Sequence, residues 1–422
     1  MKEDFLHYIW QYSLYKTPLK LSDNTIIDVL FCGEHNHNAG PDFLNAKIKI
    51  NNVTWVGNVE IHIKASDWIK HNHQNNKMYN NVVLHVVLQN DIAIKHLNGE
   101  IIPTVILDYP KNIYEQYLLL VNSKDWIPCQ PFINRVDSFT ILQWKESLMV
   151  ERLYQKSKAI KERFVLNNNN WEETFYQSLA FNFGFKVNSA PFEMLAKSLS
   201  LKYLLKHKNQ LSLIEAMVFG QSGLLPKNSA DEYVLQLIKD YTHLKNKFKL
   251  KPIDGYIWKF SQLRPPNFPT IRLAQFSMLI YKSTSLFSKI IESKKLDDVN
   301  KLFKVKVSEY WQTHYVFNKE SVNKQKWLGD STFQNIVINT IAPFFMLISK
   351  IKDNQKYTER ALDWLLKLSP EDNNITRHWE QLGVKIDNAF DSQSLIQLKN
   401  LYCNKYKCLN CKIGNQVILH TL

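Results

Sequence analysis

The sequence predicts an α+β fold in which a small core of order αβββαβ precedes a larger all-α domain. Three observations lead there. β-Branched and alternating runs are concentrated in the first hundred-odd residues, and apolar residues at helical spacing dominate from about Asp137 onward. Between the two patterns, Pro110, Pro128 and Pro131 punctuate the chain. The expected division is 1–120 for the core, 135–400 for the helical domain and 401–422 for a cysteine-bearing C-terminal segment.

The first element is a helix, because Phe5, Ile9 and Tyr12, with Leu6 and Trp10 beside them, recur at helical spacing. Ile26 to Cys32, Phe43 to Ile50 and Val53 to Ile63 read as three strands separated by Asn, Gly and Pro clusters, with Asn51-Asn52 as a hairpin turn. Ser66 to His73 reads as a short helical or irregular piece. Val82 to Leu88 follows as a buried strand, and Ile101 to Leu107 offers a further one. In the second half Trp171, Phe175, Leu179 and Phe183 form an i, i+4 stripe, and similar faces recur at Asp231 to Phe248, Thr270 to Ile291 and Tyr357 to Leu368. No internal repeat of solenoid length is visible.

With 45% hydrophobic residues in 422, the chain can build real cores. Lys and Arg outnumber Asp and Glu by 53 to 39, a net charge of +14 that favours polyanionic partners. A Lys- and Asn-rich composition also follows from AT-rich coding, so charge alone does not decide. Met1 to Trp10 mixes charges with aromatics and has no secretory pattern. The most apolar stretch, Ile336 to Ile351, is broken by Asn339, Pro343 and Lys350 and falls short of the ~20 apolar residues that span a bilayer. The expectation is a cytoplasmic protein with no membrane partner.

The sharpest feature is Gly40-Pro41-Asp42, followed by Glu60-Ile61-His62 inside a strand. Alternation puts Asn58, Glu60, His62 and Lys64 on one face and Val59, Ile61 and Ile63 on the other. A hairpin through Asn51 and Asn52 lays the strand that Asp42 opens alongside Glu60, so two carboxylates meet at one end of a sheet. Such a pair suits Mg²⁺ or Mn²⁺, which would polarise a phosphodiester and lower the pKa of water. His62, on the face of Glu60, is a candidate further ligand, water-orienting group or general base. The plain alternative is a turn at Pro41-Asp42 and a polar strand face turned to solvent.

Pro-Asp on the second strand and a Glu-x-basic pattern on the third, in this order of elements, resemble the PD-(D/E)XK, or restriction-endonuclease-like, superfamily. More closely, Asn38-Ala39-Gly40-Pro41-Asp42-Phe43, Gly57-Asn58-Val59-Glu60-Ile61-His62 and Leu84-His85-Val86-Val87 resemble an uncharacterised bacterial family, domain of unknown function 2851. That resemblance extends to Phe219-Gly220-Gln221-Ser222-Gly223-Leu224-Leu225 and Arg264-Pro265-Pro266-Asn267-Phe268-Pro269. The superfamily resemblance implies a metal-dependent nuclease acting on DNA before RNA, with Asp42 and Glu60 as metal ligands and catalytic residues. One departure stands out: His62 replaces the superfamily lysine, and neutral histidine steadies developing negative charge less and binds metals more. The competing expectation is a catalytically silent nucleic-acid-binding or scaffolding module that keeps the fold and the charge.

Five histidines, His35, His37, His71, His73 and His85, gather around the same core, a density that suits a transition metal. His85, in a strand buried on both faces, reads as a hydrogen-bonded core residue. The other four are candidates for the site, as is Glu34. Cys403, Cys408 and Cys411 crowd into nine residues, which in a cytosolic chain points to metal rather than disulfides. Three thiolates can fill three corners of a tetrahedron, with Cys129 the best fourth ligand. Zinc fits the spacing, and so does a 4Fe-4S cluster, which some nucleases of the resembled superfamily hold with an upstream cysteine and a C-terminal triplet. Four unligated buried thiols are the alternative, and Cys32 reads as simple core. In the helical half, Arg264 and Arg272 flank a rigid segment ending at Thr270, a candidate helix cap, and a structural role is favoured for both arginines. Trp311, His314 and Tyr315 suit either base stacking or core packing. Gly220 and Gly223 lack the Gly-Lys-Ser/Thr of a nucleotide-binding loop.

Overall fold

The structure, a computed structural model, describes residues 2–419. It is a mixed α+β protein with an N-terminal sheet and a larger helical region. Its contacts divide the chain into two units, one running to Trp144 and resuming at Leu398, the other Lys145–Gln397. The boundary therefore lies later than the prolines suggested. The C-terminal cysteine segment belongs to the first unit instead of standing apart.

In the first unit, helix α1 (Glu3–Gln11) buries Phe5, Leu6, Ile9 and Trp10 completely. The strands are β1 (Leu19–Lys20), β2 (Ile26–Phe31), β3 (Glu34–His35), β4 (Phe43–Ile50), β5 (Val53–Lys64), β6 (Val82–Gln89) and β7 (Thr104–Ile106). They form one sheet of order β1-β2-β4-β5-β6-β7, with β3 alongside β4. β2, β4 and β5 are antiparallel neighbours, whereas β6 runs parallel to β5 and β7 parallel to β6. The β4–β5 hairpin closes from Ile50 to Val53 over Asn51 and Asn52, whose φ angles of 48° and 67° are those of a type I′ turn. A parallel partner needs a crossover. Residues 65–81 supply it, through the short helix α2 (Asp67–Lys70) and two 3₁₀ turns.

The crossover decides what each sheet face meets. Val59 and Ile61 pair with Leu84 and Val86, on the face where Phe43 meets His7 of α1. Glu60 and His62 pair with His85 and Val87 on the opposite face, which Ala65, Trp68 and Tyr79 of the crossover cover. β6 is thus buried on both faces, which its near-continuous apolar run requires. Cys32 lies just past β2 and is half-buried, so it is not the core residue expected.

In the second unit, the stripe Trp171, Phe175, Leu179 and Phe183 lies on helix Trp171–Phe183 and joins the main core. Thr270 to Ile291 is two helices, Pro269–Lys282 and Leu286–Glu292. The first is capped by Phe268 and not by Thr270. Pro269 occupies the first turn, where a missing N–H costs nothing, and the Thr270 hydroxyl donates to the Tyr315 carbonyl. Arg272 is structural: it is buried, and its guanidinium donates to Asn267, Gln275 and Thr332. Trp311 is fully buried, with its indole N–H donating to the Tyr233 hydroxyl, so it cannot stack on a base. Gly220 is a packing glycine. A Cβ there would stand 2.1 Å from the Tyr241 ring. Among the described residues, Asp330–Lys352 is the one helical stretch long and apolar enough to cross a membrane, and 72% of its most apolar window is buried within the protein. A π-turn at Val337–Ile341 precedes Pro343, which cannot donate to the Asn339 carbonyl four residues back; Asn182 Nδ2 donates to it instead, at 3.2 Å.

Glu215 is buried beneath Ser308 and Tyr233, whose hydroxyls stand 2.8 and 3.0 Å from its carboxylate. Burial raises its pKa to about 7 despite these two donors. The folded state therefore holds the proton more tightly than the unfolded chain. The stability this gives is complete below about pH 4.5 and is lost as pH rises toward 7, amounting to roughly 3 kcal/mol at about 1.4 kcal/mol per unit. Glu215→Gln should raise the melting temperature at pH 8 and change it little at pH 4, as followed by circular dichroism. An equal effect at both pH values would contradict the assignment.

Candidate active site

Asp42 stands immediately before β4, after Gly40 at φ 109° and Pro41. The Asn36 side chain donates to the Pro41 carbonyl and the Asn36 N–H to the Asp42 carbonyl, at 2.9 and 2.7 Å, which fixes this entry to the strand. The Asp42 N–H donates to Glu60 Oε2 at 3.1 Å. In return Asp42 Oδ2 accepts the Ile61 N–H at 2.9 Å. Each carboxylate is thus held by the backbone of the other's strand. A bulge between Phe43 and Ala46, with Asn45 at φ 59°, interrupts the ladder beside them.

Glu60 is 4% exposed and His62 1%, so the middle of the polar face of β5 is buried, while Asn58 is half-buried and Lys64 is exposed. Glu60 Oε1 lies 3.2 Å from His73 Nε2 and 3.5 Å from His62 Nε2. His62 Nε2 is also 3.2 Å from His71 Nδ1, and its Nδ1 is 2.9 Å from His85 Nε2. On the other side His7 Nε2 lies 3.3 Å from Asp42 Oδ2, an ion-pair distance without hydrogen-bond geometry.

Burial, then the Asp42 carboxylate, pushes Glu60 well above the ordinary range for a carboxyl group. Burial also works to raise Asp42, but His7 and the Ile61 N–H outweigh it and hold Asp42 low. For His62, burial and then the His85, His73 and His71 rings press the pKa down to about 3, so it is neutral near pH 7. Burial likewise takes His85 to about 4. His7 moves the other way, because Asp42, with help from Asp4 and Glu3, outweighs its burial.

The structure brings Asp42, Glu60 and His62 together and adds His71, His73 and His85. It leaves His35 and His37 aside: His35 stacks on Phe43 at 4.9 Å and against His37 at 4.5 Å, and reaches the centre only through His7 at 5.3 Å. Glu34 is exposed on β3. His7 is the residue that sequence reasoning missed. Its signal was its position four residues after Glu3 on a helix whose other face is apolar.

Cys129, Cys403, Cys408 and Cys411 are all free thiols, each less than 9% exposed. Their sulfurs lie within electrostatic reach of one another. Burial raises all four pKa values, and Cys411 adds to the rise in each of the other three. The triplet sits on two 3₁₀ turns, Cys403–Lys405 and Cys408–Asn410, followed by helix Lys412–Leu419. The Ile413 and Gly414 N–H groups at that helix start point to the Cys411 sulfur. Gly414 must lack a side chain, since a Cβ would stand 2.3 Å from the Cys408 carbonyl.

Fold and site together define a mixed α+β protein with a partly buried carboxylate–histidine centre and, apart from it, four buried thiols. The chain belongs to the family described as Protein of unknown function (DUF2851), whose model matches residues 3–374. That span contains every residue of the carboxylate–histidine centre and Cys129, and stops before the cysteine triplet. No curated protein and no solved structure matches the chain.

Proposed function

We propose that the protein is a cytoplasmic metal-dependent nuclease that hydrolyses phosphodiester bonds, in DNA before RNA. The reading rests on Asp42 and Glu60 meeting on adjacent strands of a core whose main elements, α1, antiparallel β2, β4 and β5, α2 and parallel β6, resemble in order the PD-(D/E)XK superfamily, with the short strands β1 and β3 in addition. Two carboxylates this close, Glu60 buried and Asp42 half-buried, repel each other, and a divalent cation between them settles both charges. The donor set is therefore suited to Mg²⁺ or Mn²⁺. When bound, that ion supplies Lewis acidity toward the phosphate and toward water.

Asp42 and Glu60 would hold the ion while the Asp42 and Ile61 N–H groups fix their orientation. Neutral His62 cannot supply the positive charge of the superfamily lysine. His7, raised by Asp42, is the nearer source of a proton or a positive charge at the edge of the site. His7 also lines a cavity of about 640 Å³ with Lys2, Lys405, Lys407, Tyr117 and Tyr402, a basic and aromatic wall suited to a nucleic-acid strand. Cys129, Cys403, Cys408 and Cys411 would hold one structural centre, zinc or a 4Fe-4S cluster, with the Ile413 and Gly414 N–H groups favouring the thiolate of Cys411.

Asp42→Asn and Glu60→Gln should each lower metal-dependent cleavage by at least about a hundredfold, in the range such groups contribute, with an unchanged melting curve. A chelator should abolish cleavage. Nucleic-acid binding without cleavage under any dication would establish the silent binding module instead. Binding at the basic wall should weaken steeply with salt, with a log–log slope of about −0.9 per phosphate neutralised on duplex DNA; a flat salt dependence would remove the wall from the interface. Anaerobic purification with metal analysis and visible absorption should find either colourless zinc or a brown cluster, lost together with C-terminal order in Cys129→Ala and Cys408→Ala. Full metal content in either variant would break the four-cysteine assignment.

A further inference from the structure

We infer that Glu60, His62, His71 and His73 form a four-ligand site for a first-row transition-metal dication. Three ring nitrogens, one each from His62, His71 and His73, lie within 4.8 Å of one another. Glu60 Oε1 joins them at 3.2 Å from His73 Nε2 and 3.5 Å from His62 Nε2, and His62 Nε2 is 3.2 Å from His71 Nδ1. Ligands bound tetrahedrally at about 2.0–2.1 Å stand roughly 3.3 Å apart, close to these three separations, so small side-chain movements would bring the four groups around one ion.

The chain arranges this convergence with two short motifs. Glu60 and His62, two apart on β5, share a strand face. His71 ends α2, and Asn72 takes a left-handed φ of 60°, a turn that sets His71 and His73 on the same side. The neighbours of these ligands fit as well. His62 Nδ1 is 2.9 Å from His85 Nε2, and donating there leaves His62 Nε2 bare for a metal. His73 is held flat against Tyr79, ring centroids 3.9 Å apart.

Without an ion the arrangement is hard to satisfy. A proton can bridge one pair of nitrogens, but the third ring and the Glu60 oxygen then compete for what remains. Among the described residues no lysine or arginine forms an ion pair with Glu60. Three imidazoles and one carboxylate select Mn²⁺, Fe²⁺, Co²⁺, Ni²⁺ or Zn²⁺ over Mg²⁺, which prefers oxygen and keeps its waters. The inference deepens the hydrolytic reading, with which it shares Glu60, by naming the class of metal. It does not need cleavage to be tested.

The test uses the full chain with its thiol centre intact. Mn²⁺ is titrated in the presence of a large excess of Mg²⁺ and followed by the electron paramagnetic resonance of the free ion, with pulsed measurements for nitrogen couplings. About one Mn²⁺ per chain should bind, with couplings from imidazole nitrogen. His71→Ala/His73→Ala should weaken binding at least about tenfold and remove most of the couplings. His71 is exposed on the crossover, so a His71→Ala single variant that keeps the wild-type melting curve guards against simple unfolding. Mn²⁺ bound with imidazole couplings by a chain that cleaves no nucleic acid would keep this site while the nuclease reading fails, so the two failures are distinguishable. Displacement by Mg²⁺, absence of nitrogen couplings, or wild-type binding by the double variant would overturn the inference.

Discussion

Two backbone N–H groups hold the centre of the first unit together. That of Asp42 ends on the Glu60 carboxylate, and that of Ile61 ends on the Asp42 carboxylate. A buried carboxylate is costly unless it is hydrogen-bonded, and these crossed bonds tie the entrance of one strand to the middle of the next. The hairpin turn at Asn51 and Asn52 sets the register, the bulge at Phe43–Ala46 adjusts the first residues of β4, and the crossover roofs the result with Trp68, His71 and His73. Glu60 and His62, which the strands alone would expose to water, are thereby buried, which strengthens the electrostatic interactions they make.

Much of this was legible in the sequence, because it rests on local rules. Alternation located β4 and β5, paired asparagines located the turn, and the unbroken apolar run of β6 announced a strand buried on both faces. Apolar spacing located α1 and the helix Trp171–Phe183. What the sequence could not show depended on contacts between distant segments. His7 reads as one polar residue on an amphipathic helix until the sheet brings Asp42 to it. Thr270 reads as a cap because its type favours caps, but Pro269 before it already fits the first turn and a distant carbonyl, that of Tyr315, takes its hydroxyl. Trp311 and its neighbours carry ring types that serve both stacking and packing, and only burial separates the two.

The histidines illustrate the same limit. Their number around the core was visible, but their grouping was not. His71 and His73 reach the Glu60 side because Asn72 is left-handed, whereas His35 is drawn to Phe43 by ring stacking and His37 packs against His35. Spacing in the chain treats the two His-x-His pairs alike. A single backbone angle and one aromatic neighbour distinguish them.

The C-terminal segment lies in the same unit as the sheet, although the whole of Lys145–Gln397 intervenes in the chain, and the Lys399 ammonium reaches the Trp126 carbonyl across 273 positions. Translation makes the sheet before this segment. The sheet unit must therefore wait through the synthesis of the helical one before this segment can join it. Closing so long a loop adds little entropy cost beyond that of a shorter one, but it delays completion. The part of the first unit that runs to Trp144 is thus only a partial fold until the residues from Leu398 onward have been made.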